Sequence, residues 1–311
     1  MTAKITLKQV QLPNGETIGY REREGSPDGP LLVLVHGNMN SSQHWDLLLE
    51  QLDARLRLLA VDLPGFGISS YNRPISGLGD YAEQLELFAD ALGLTSFSLI
   101  GWSMGGGVVM QYAADHPERV ERLILLSSVS TRGYPFFADG ADGQPDLSRR
   151  LRTAEEARAL SRTRMIDGAA ERRDREFMRW LFDAAVYNVG KPPAERYETY
   201  IDDILTQRNL ADIYHALNTF NISGTDHDAA PGSGDVDRIQ APVLVIWGKQ
   251  DLVIQEWMTR ELVNDLGPRA TLVELEACGH SALVDALPAL TSEVERFVLG
   301  GGKSAAEEVS A

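Results

Sequence analysis

Gly101-Trp102-Ser103-Met104-Gly105 is the stretch of this 311-residue chain whose residue types and spacing can do chemistry. The apolar run Phe97 to Ile100 precedes it. A helical pattern, Met104 to Ala114, follows, with Val108, Val109, Tyr112 and Ala113 on one stripe. Gly-x-Ser-x-Gly between a strand and a helix is the pattern of a nucleophile on a sharp, strained turn that lifts its hydroxyl above a sheet. The two glycines let neighbouring backbone approach without a Cβ in the way. The helix N-terminus adds amide donors and positive dipole. The bland alternative is a glycine-rich helix start that only packs closely.

A serine nucleophile needs a base and a group to orient that base. The histidines are His36, His44, His116, His215, His227 and His280. His280, in Ala277-Cys278-Gly279-His280-Ser281, follows a strand-like run and precedes the last helix. A loop at the carboxyl end of a strand faces the same sheet edge as the serine turn. His116 lies at the far end of the helix after Ser103, about 18 Å away at 1.5 Å per residue. His215 and His227 can at most touch substrate, and His44 is expected to start a surface helix. His280 is therefore the candidate base. Asp251, at the end of Val243-Leu244-Val245-Ile246-Trp247-Gly248-Lys249-Gln250-Asp251, is the candidate acid, with a helix N-cap as its structural alternative. Asp62 more simply braces the loop Leu63-Pro64-Gly65-Phe66-Gly67. Asp265 and Asp285 lie within helices.

Stabilising an oxyanion requires amide donors after the nucleophile and after an early strand. The Met104 N–H is the first candidate. The Asn38 N–H, in Val35-His36-Gly37-Asn38-Met39-Asn40, is the second, with Met39 as its rival. Trp102 is expected to touch substrate or wall the acid side of the site. Met39 is expected to fill the pocket as an adaptable side chain.

Alternating elements must hold these residues in place. Ile5 to Val10 and Glu16 to Arg21 read as strands around Leu12-Pro13-Asn14-Gly15. Leu31 to Val35, Leu56 to Val61, Phe97 to Ile100, Leu123 to Leu126, Pro242 to Trp247 and Ala270 to Leu275 read as strands buried on both faces. Helical patterns cover 78–92, 104–114 and 282–298. Strands alternating with helices predict βαβ units and a parallel sheet with an antiparallel edge. From about Thr131 to Asp235 the alternation stops. This stretch reads as a helical insertion, opening with a loop at Ala138 to Gly143 and closing with another at Pro231 to Gly234. Its aromatic residues are expected to be mainly core, with some lining an acyl pocket. Its clusters Arg149, Arg150, Arg152 and Arg172, Arg173, Arg175 are expected to form solvated helix faces. The expected organisation is a core over 1–130 and 236–298, a helical cap over 131–235 and a disordered tail over 299–311.

The formal charge of −16 opposes a nucleic-acid partner, since such binding rests on Lys and Arg neutralising phosphates. No window approaches the 18 apolar residues of a membrane span. One cysteine, Cys278, fits a reducing compartment, and a cytoplasmic location is expected. No cofactor is called for, and the scattered histidines lack metal-binding spacing.

With these residues in place the chain resembles the α/β-hydrolase superfamily. The matching segments are His36-Gly37, Asp62-Leu63-Pro64-Gly65-Phe66-Gly67, Gly101-Trp102-Ser103-Met104-Gly105, Trp247-Gly248-Lys249-Gln250-Asp251 and Gly279-His280. The chain order Ser103, Asp251, His280 agrees with that family. The resemblance implies a mostly parallel eight-stranded sheet flanked by helices, with a helical cap inserted after strand 6. It also implies a serine hydrolase cleaving a carboxylic ester through an acyl-enzyme. The elbow is similar to that of lipase-box intracellular polyhydroxybutyrate depolymerases, so a small or oligomeric ester such as a hydroxyalkanoate is the expected substrate. Acyl-homoserine lactone lactonases, C–C bond hydrolases and haloperoxidase-like esterases share the layout. A non-catalytic binding protein on the same fold is the alternative of another class. Epoxide hydrolases and haloalkane dehalogenases place an aspartate where this chain has Ser103.

Overall fold

The structure, a computed structural model, describes residues 4–300. The tail expected from 299 onward lies, beyond Gly300, outside the described residues. The strands are β1 (Ile5–Gln11), β2 (Thr17–Arg23), β3 (Leu31–Val35), β4 (Arg57–Val61), β5 (Phe97–Trp102), β6 (Val120–Leu126), β7 (Phe137–Asp139), β8 (Pro145–Arg150), β9 (Val243–Gly248) and β10 (Ala270–Leu275). The helices are α1 (Asp46–Gln51), α2 (Leu78–Ala91), α3 (Met104–Asp115), α4 (Ala154–Ala159), α5 (Ser161–Glu171), α6 (Arg175–Ala185), α7 (Ala194–Ile204), α8 (Leu210–Thr219), α9 (Glu256–Leu266), α10 (Ala282–Asp285) and α11 (Leu287–Leu299).

Eight strands form one sheet in the order β1-β2-β4-β3-β5-β6-β9-β10. β2 is antiparallel to β1 and β4. The remaining pairs are parallel. The chain leaves β3 toward β4 and then crosses over to β5 on the other side. A crevice opens at the carboxyl ends of strands where the order reverses in this way. That places the loop after β3 beside the turn after β5.

Continuous apolar sequence in β3, β5 and β9 follows from burial on both faces, and every residue of these three strands is buried. Alternation along each strand divides the core into two layers. Val33, Val35 and Leu99 pack with Phe88 of α2 and Val109 of α3. Leu32, Leu34, Ile100 and Trp102 pack with Leu48 of α1 and Val294 of α11. Each such side chain contributes roughly 1.5–3 kcal/mol through burial.

Between β6 and β9 the helices α4 to α8 occupy the segment that lacks strand patterning. Three local expectations are corrected there and nearby. The loop expected at 138–143 is flanked by a two-stranded antiparallel sheet, β7 with β8. Arg150 belongs to β8, not to a solvated helix face, and its guanidinium donates to the Asn218 side chain at 3.0 Å and backbone carbonyl at 2.7 Å. The final helix is broken into α10 and α11, with Pro at the start of α11 lacking the N–H that would continue the first helix.

Candidate active site

Ser103 sits between β5 and α3 with φ +56° and ψ −118°, in the left-handed half of backbone space that a non-glycine residue rarely occupies. Packing enforces the turn. The Ser103 N–H donates to the Leu126 carbonyl at 3.0 Å, and its own carbonyl accepts from Gly106 and Val129. A Cβ on Gly105 would lie 2.3 Å from the Val35 carbonyl oxygen, and one on Gly101 would lie 2.4 Å from the Gly105 oxygen. Both glycines are thus required for close approach of backbone.

His280 follows β10 on the loop before α10. Its Nδ1 lies 2.9 Å from Asp251 Oδ2, and both residues are buried. A proton on Nδ1 donated to this carboxylate leaves Nε2 free to accept one. The other oxygen of Asp251, Oδ1, accepts from Val253 N at 2.7 Å and Ile254 N at 2.9 Å, so the carboxylate is fixed in direction. It does not cap α9, whose preceding residue is Gln255. Asp62 spends its oxygens on Ser42 N and Ile68 N and braces its loop.

One cavity of about 100 Å³ is lined by Ser103 and His280 together with Asn38, Met39 and aromatic residues of the inserted segment. Asn38 presents its Oδ1 to Gln207 Nε2 at 2.8 Å. The loop lies against the serine: a Cβ on Gly37 would stand 3.1 Å from Ser103 Cβ. Met39 has φ +60°, so the loop reverses there. Met104 is the first residue of α3, a position whose N–H has no acceptor within the helix. His36 holds the loop from behind. Its Nε2 accepts from Leu63 N at 3.0 Å, which assigns the Nδ1 proton to the Gly37 carbonyl at 2.7 Å. Burial pushes the His36 pKa below its usual value, which favours this neutral form.

Trp102 does not line the cavity. Strand alternation sends its ring into the opposite core layer, where it packs edge-on against Trp45 and its Nε1 donates to the His280 carbonyl at 3.0 Å. Cys278, two residues before His280, is buried, and burial raises its thiol to about 12, so no thiolate forms there at neutral pH. Asp285 accepts from Gly279 N at 2.8 Å and Gly190 N at 2.7 Å and ties the histidine loop to the inserted segment. Asp285 lies in α10, and nothing in its local sequence marks this role. His44, expected on a surface helix, is buried and stacks on Tyr200 of α7 with ring centroids 4.4 Å apart.

Among the described residues, no group of three His, Cys, Asp or Glu is arranged to hold a metal ion. No helix of the described residues is long and apolar enough to cross a membrane.

Residues 30–287 match the family model described as alpha/beta hydrolase fold. The chain is 29% identical over 269 residues to the pimeloyl-[acyl-carrier protein] methyl ester esterase of Nitrosomonas europaea, covering 83% of this chain and 91% of that one. It is 27% identical to a 2-hydroxy-6-oxononadienedioate/2-hydroxy-6-oxononatrienedioate hydrolase of Paraburkholderia phymatum, covering 90% and 91%. Among solved structures it superposes on an esterase from Rhodococcus sp. ECU1013 with a TM-score of 0.66 at 26% identity, covering 95% and 99%.

Proposed function

The chain belongs to the α/β-hydrolase family, and on that premise we propose that it cleaves a carboxylic ester through Ser103, His280 and Asp251. The observation that carries this reading is the 2.9 Å contact from Asp251 Oδ2 to Nδ1 of His280, which lines the same cavity as Ser103. Ser103 Oγ attacks the ester carbonyl as His280 Nε2 takes its proton. The tetrahedral oxyanion is held by the N–H groups of Met104 and Asn38. The protonated imidazole, stabilised by the Asp251 carboxylate, delivers the proton to the leaving alkoxide. An acyl-enzyme remains on Ser103. Water then attacks, His280 again taking and returning the proton, and the acid departs. Asp251 stays ionised throughout and holds the ring in the required tautomer.

Residues 131–235 act in this reading as a lid. Tyr134, Phe136, Phe182 and Tyr214 line the cavity from this segment and give it an apolar wall for the acyl group. The reading takes a small or oligomeric ester as substrate, hydroxyalkanoate oligomers included. A reducing, cytoplasmic setting suits the single buried Cys278.

The test is Ser103→Ala. It is expected to fold, to lose at least about 10³-fold in kcat on 4-nitrophenyl esters and to lose all labelling by a fluorophosphonate. A variant retaining more than a few per cent of the activity sinks the assignment. The relative from Paraburkholderia phymatum motivates a second reading, C–C bond hydrolysis by the same three residues. A vinylogous diketone in the same assay separates the two: turnover of the diketone without turnover of any ester supports the second.

A further inference from the structure

Among the described residues, Arg162 is the only Lys or Arg that lines the cavity of Ser103 and His280. It lies on α5, with its guanidinium carbon 5.8 Å from the ring centroid of Tyr214. Tyr214 stacks on Phe136 at 4.3 Å, and Phe136 packs on Tyr134 at 5.3 Å, so the cation closes a column of three aromatic rings. Among the described residues no carboxylate pairs with Arg162, whereas Arg158, one turn earlier, pairs with Asp212 at 3.2 Å. Nor does any carboxylate or carbonyl among them accept from the hydroxyl of Tyr134 or Tyr214. Tyr71 and Tyr197 on neighbouring elements each donate to a carboxylate at 2.7 Å. Arg162, Tyr134 and Tyr214 line the same cavity; burial raises the pKa of both phenols, and the Arg162 charge opposes the rise in both.

A planar fork of N–H donors beside two phenolic O–H donors suits a planar, anionic acceptor. The described residues supply no such acceptor, and the net charge of −16 would not draw a small anion here without a local cation. Ser103 and His280 line the same cavity from the loops after β5 and β10, while these three donors belong to the inserted segment. We propose that Arg162, with the hydroxyls of Tyr134 and Tyr214, receives a carboxylate that the substrate carries away from its scissile carbonyl. The preferred substrates are then hemiesters of dicarboxylic acids. The proposal rests on the ester-hydrolase reading above for its chemistry but not for its binding.

The test compares monomethyl with dimethyl esters of succinate, adipate and suberate at neutral pH, where the free carboxyl is ionised. Calorimetry on the Ser103→Ala protein reads recognition without turnover, and kcat/KM is measured on the native protein. For at least one chain length the monoester is expected to bind about ten-fold more tightly than its diester, the scale of one charge-assisted hydrogen-bonded contact. That ratio is expected to fall to near one when Arg162→Met is added and to recover in part with Arg162→Lys. A ratio near or below one at every length overturns the proposal, and so does a ratio that Arg162→Met leaves in place. Selective binding of monoesters without turnover of any ester sinks the hydrolase reading and leaves the Arg162 assignment standing. Equal binding and equal turnover of both esters does the reverse.

Discussion

His44 Nδ1 and Asp203 Oδ2 lie 3.0 Å apart in a buried pair that joins the core turn at Ser42–Trp45 to α7 of the inserted segment. The other oxygen of Asp203 accepts from Ser41 Oγ at 2.6 Å. Tyr200, stacked on His44, donates to Asp46, and Arg196 pairs with Asp46 and Glu50. One face of α7 is thereby fastened to the first turns after β3, whose loop also carries Asn38.

Asp203→Asn is expected to destabilise the protein by about 3 kcal/mol, the scale of losing one partner of a buried pair. Burial raises the carboxyl pKa, but the hydrogen bonds and charge of His44 and Ser41 outweigh it and hold Asp203 below 3.8. An acid whose folded pKa is depressed contributes stability that is present above the unfolded value and lost as pH falls through the folded one. Urea denaturation should therefore show the gap between wild type and variant at neutral pH and its closure below pH 3.8. A gap that persists undiminished in acid contradicts this account.

For His36 the pH window is different. Burial lowers its pKa from 6.5, and its Nε2 must stay unprotonated to accept from Leu63 N. On acidification the unfolded chain takes up this proton first. The contribution is full above 6.5 and declines as pH falls from there toward the folded value. The slope from this group is at most about 1.4 kcal/mol per pH unit. His36→Gln should be less stable at neutral pH and fall less steeply on mild acidification. Identical slopes for the two proteins would exclude His36 as the source.

Ser103→Gly should be more stable than Ser103→Ala by about 1 kcal/mol, although neither hydrolyses an ester. At φ +56° an alanine Cβ meets the same strain as serine, and glycine relieves it. Thermal and denaturant unfolding of the two variants side by side measure the difference. Equal stabilities mean that the turn is not strained.

Trp102→Phe removes the indole bond to the His280 carbonyl and keeps a ring beside Trp45. The loss of one buried hydrogen bond is worth about 1 kcal/mol. With His280 as base, kcat and the rate of fluorophosphonate labelling should each fall about five-fold, at nearly constant KM. A rise in KM at constant kcat would make Trp102 a substrate contact instead.

The residues of the candidate site were legible because each stands at a junction between elements. Ser103 follows a fully apolar strand and precedes a helix. Asp251 and His280 follow the last two parallel strands, and His280 meets Asp251 at hydrogen-bond distance. The side on which Trp102 falls was readable too, since period two along β5 pairs it with Ile100, but adjacency to Ser103 obscured that signal. Other features carried no local mark. β8 is polar and largely exposed, so it lacks the alternation that announces a strand. The burial of His44 depends on Asp203, 159 residues away, and no periodicity around His44 reports that. Arg162 is one of several arginines on its helix and stays exposed, and only the folded chain places its guanidinium over Tyr214.

The indole of Trp102 and the carbonyl of His280 are 178 residues apart in sequence, yet they share one hydrogen bond at the floor of the site. β5 lies in the middle of the sheet, whereas the histidine loop follows β10, the strand at its far edge. A ribosome therefore delivers the serine turn long before the residues that would arm it. In the reading proposed above, the growing polypeptide carries Ser103 as an ordinary alcohol until the segment with Asp251 and His280 has emerged.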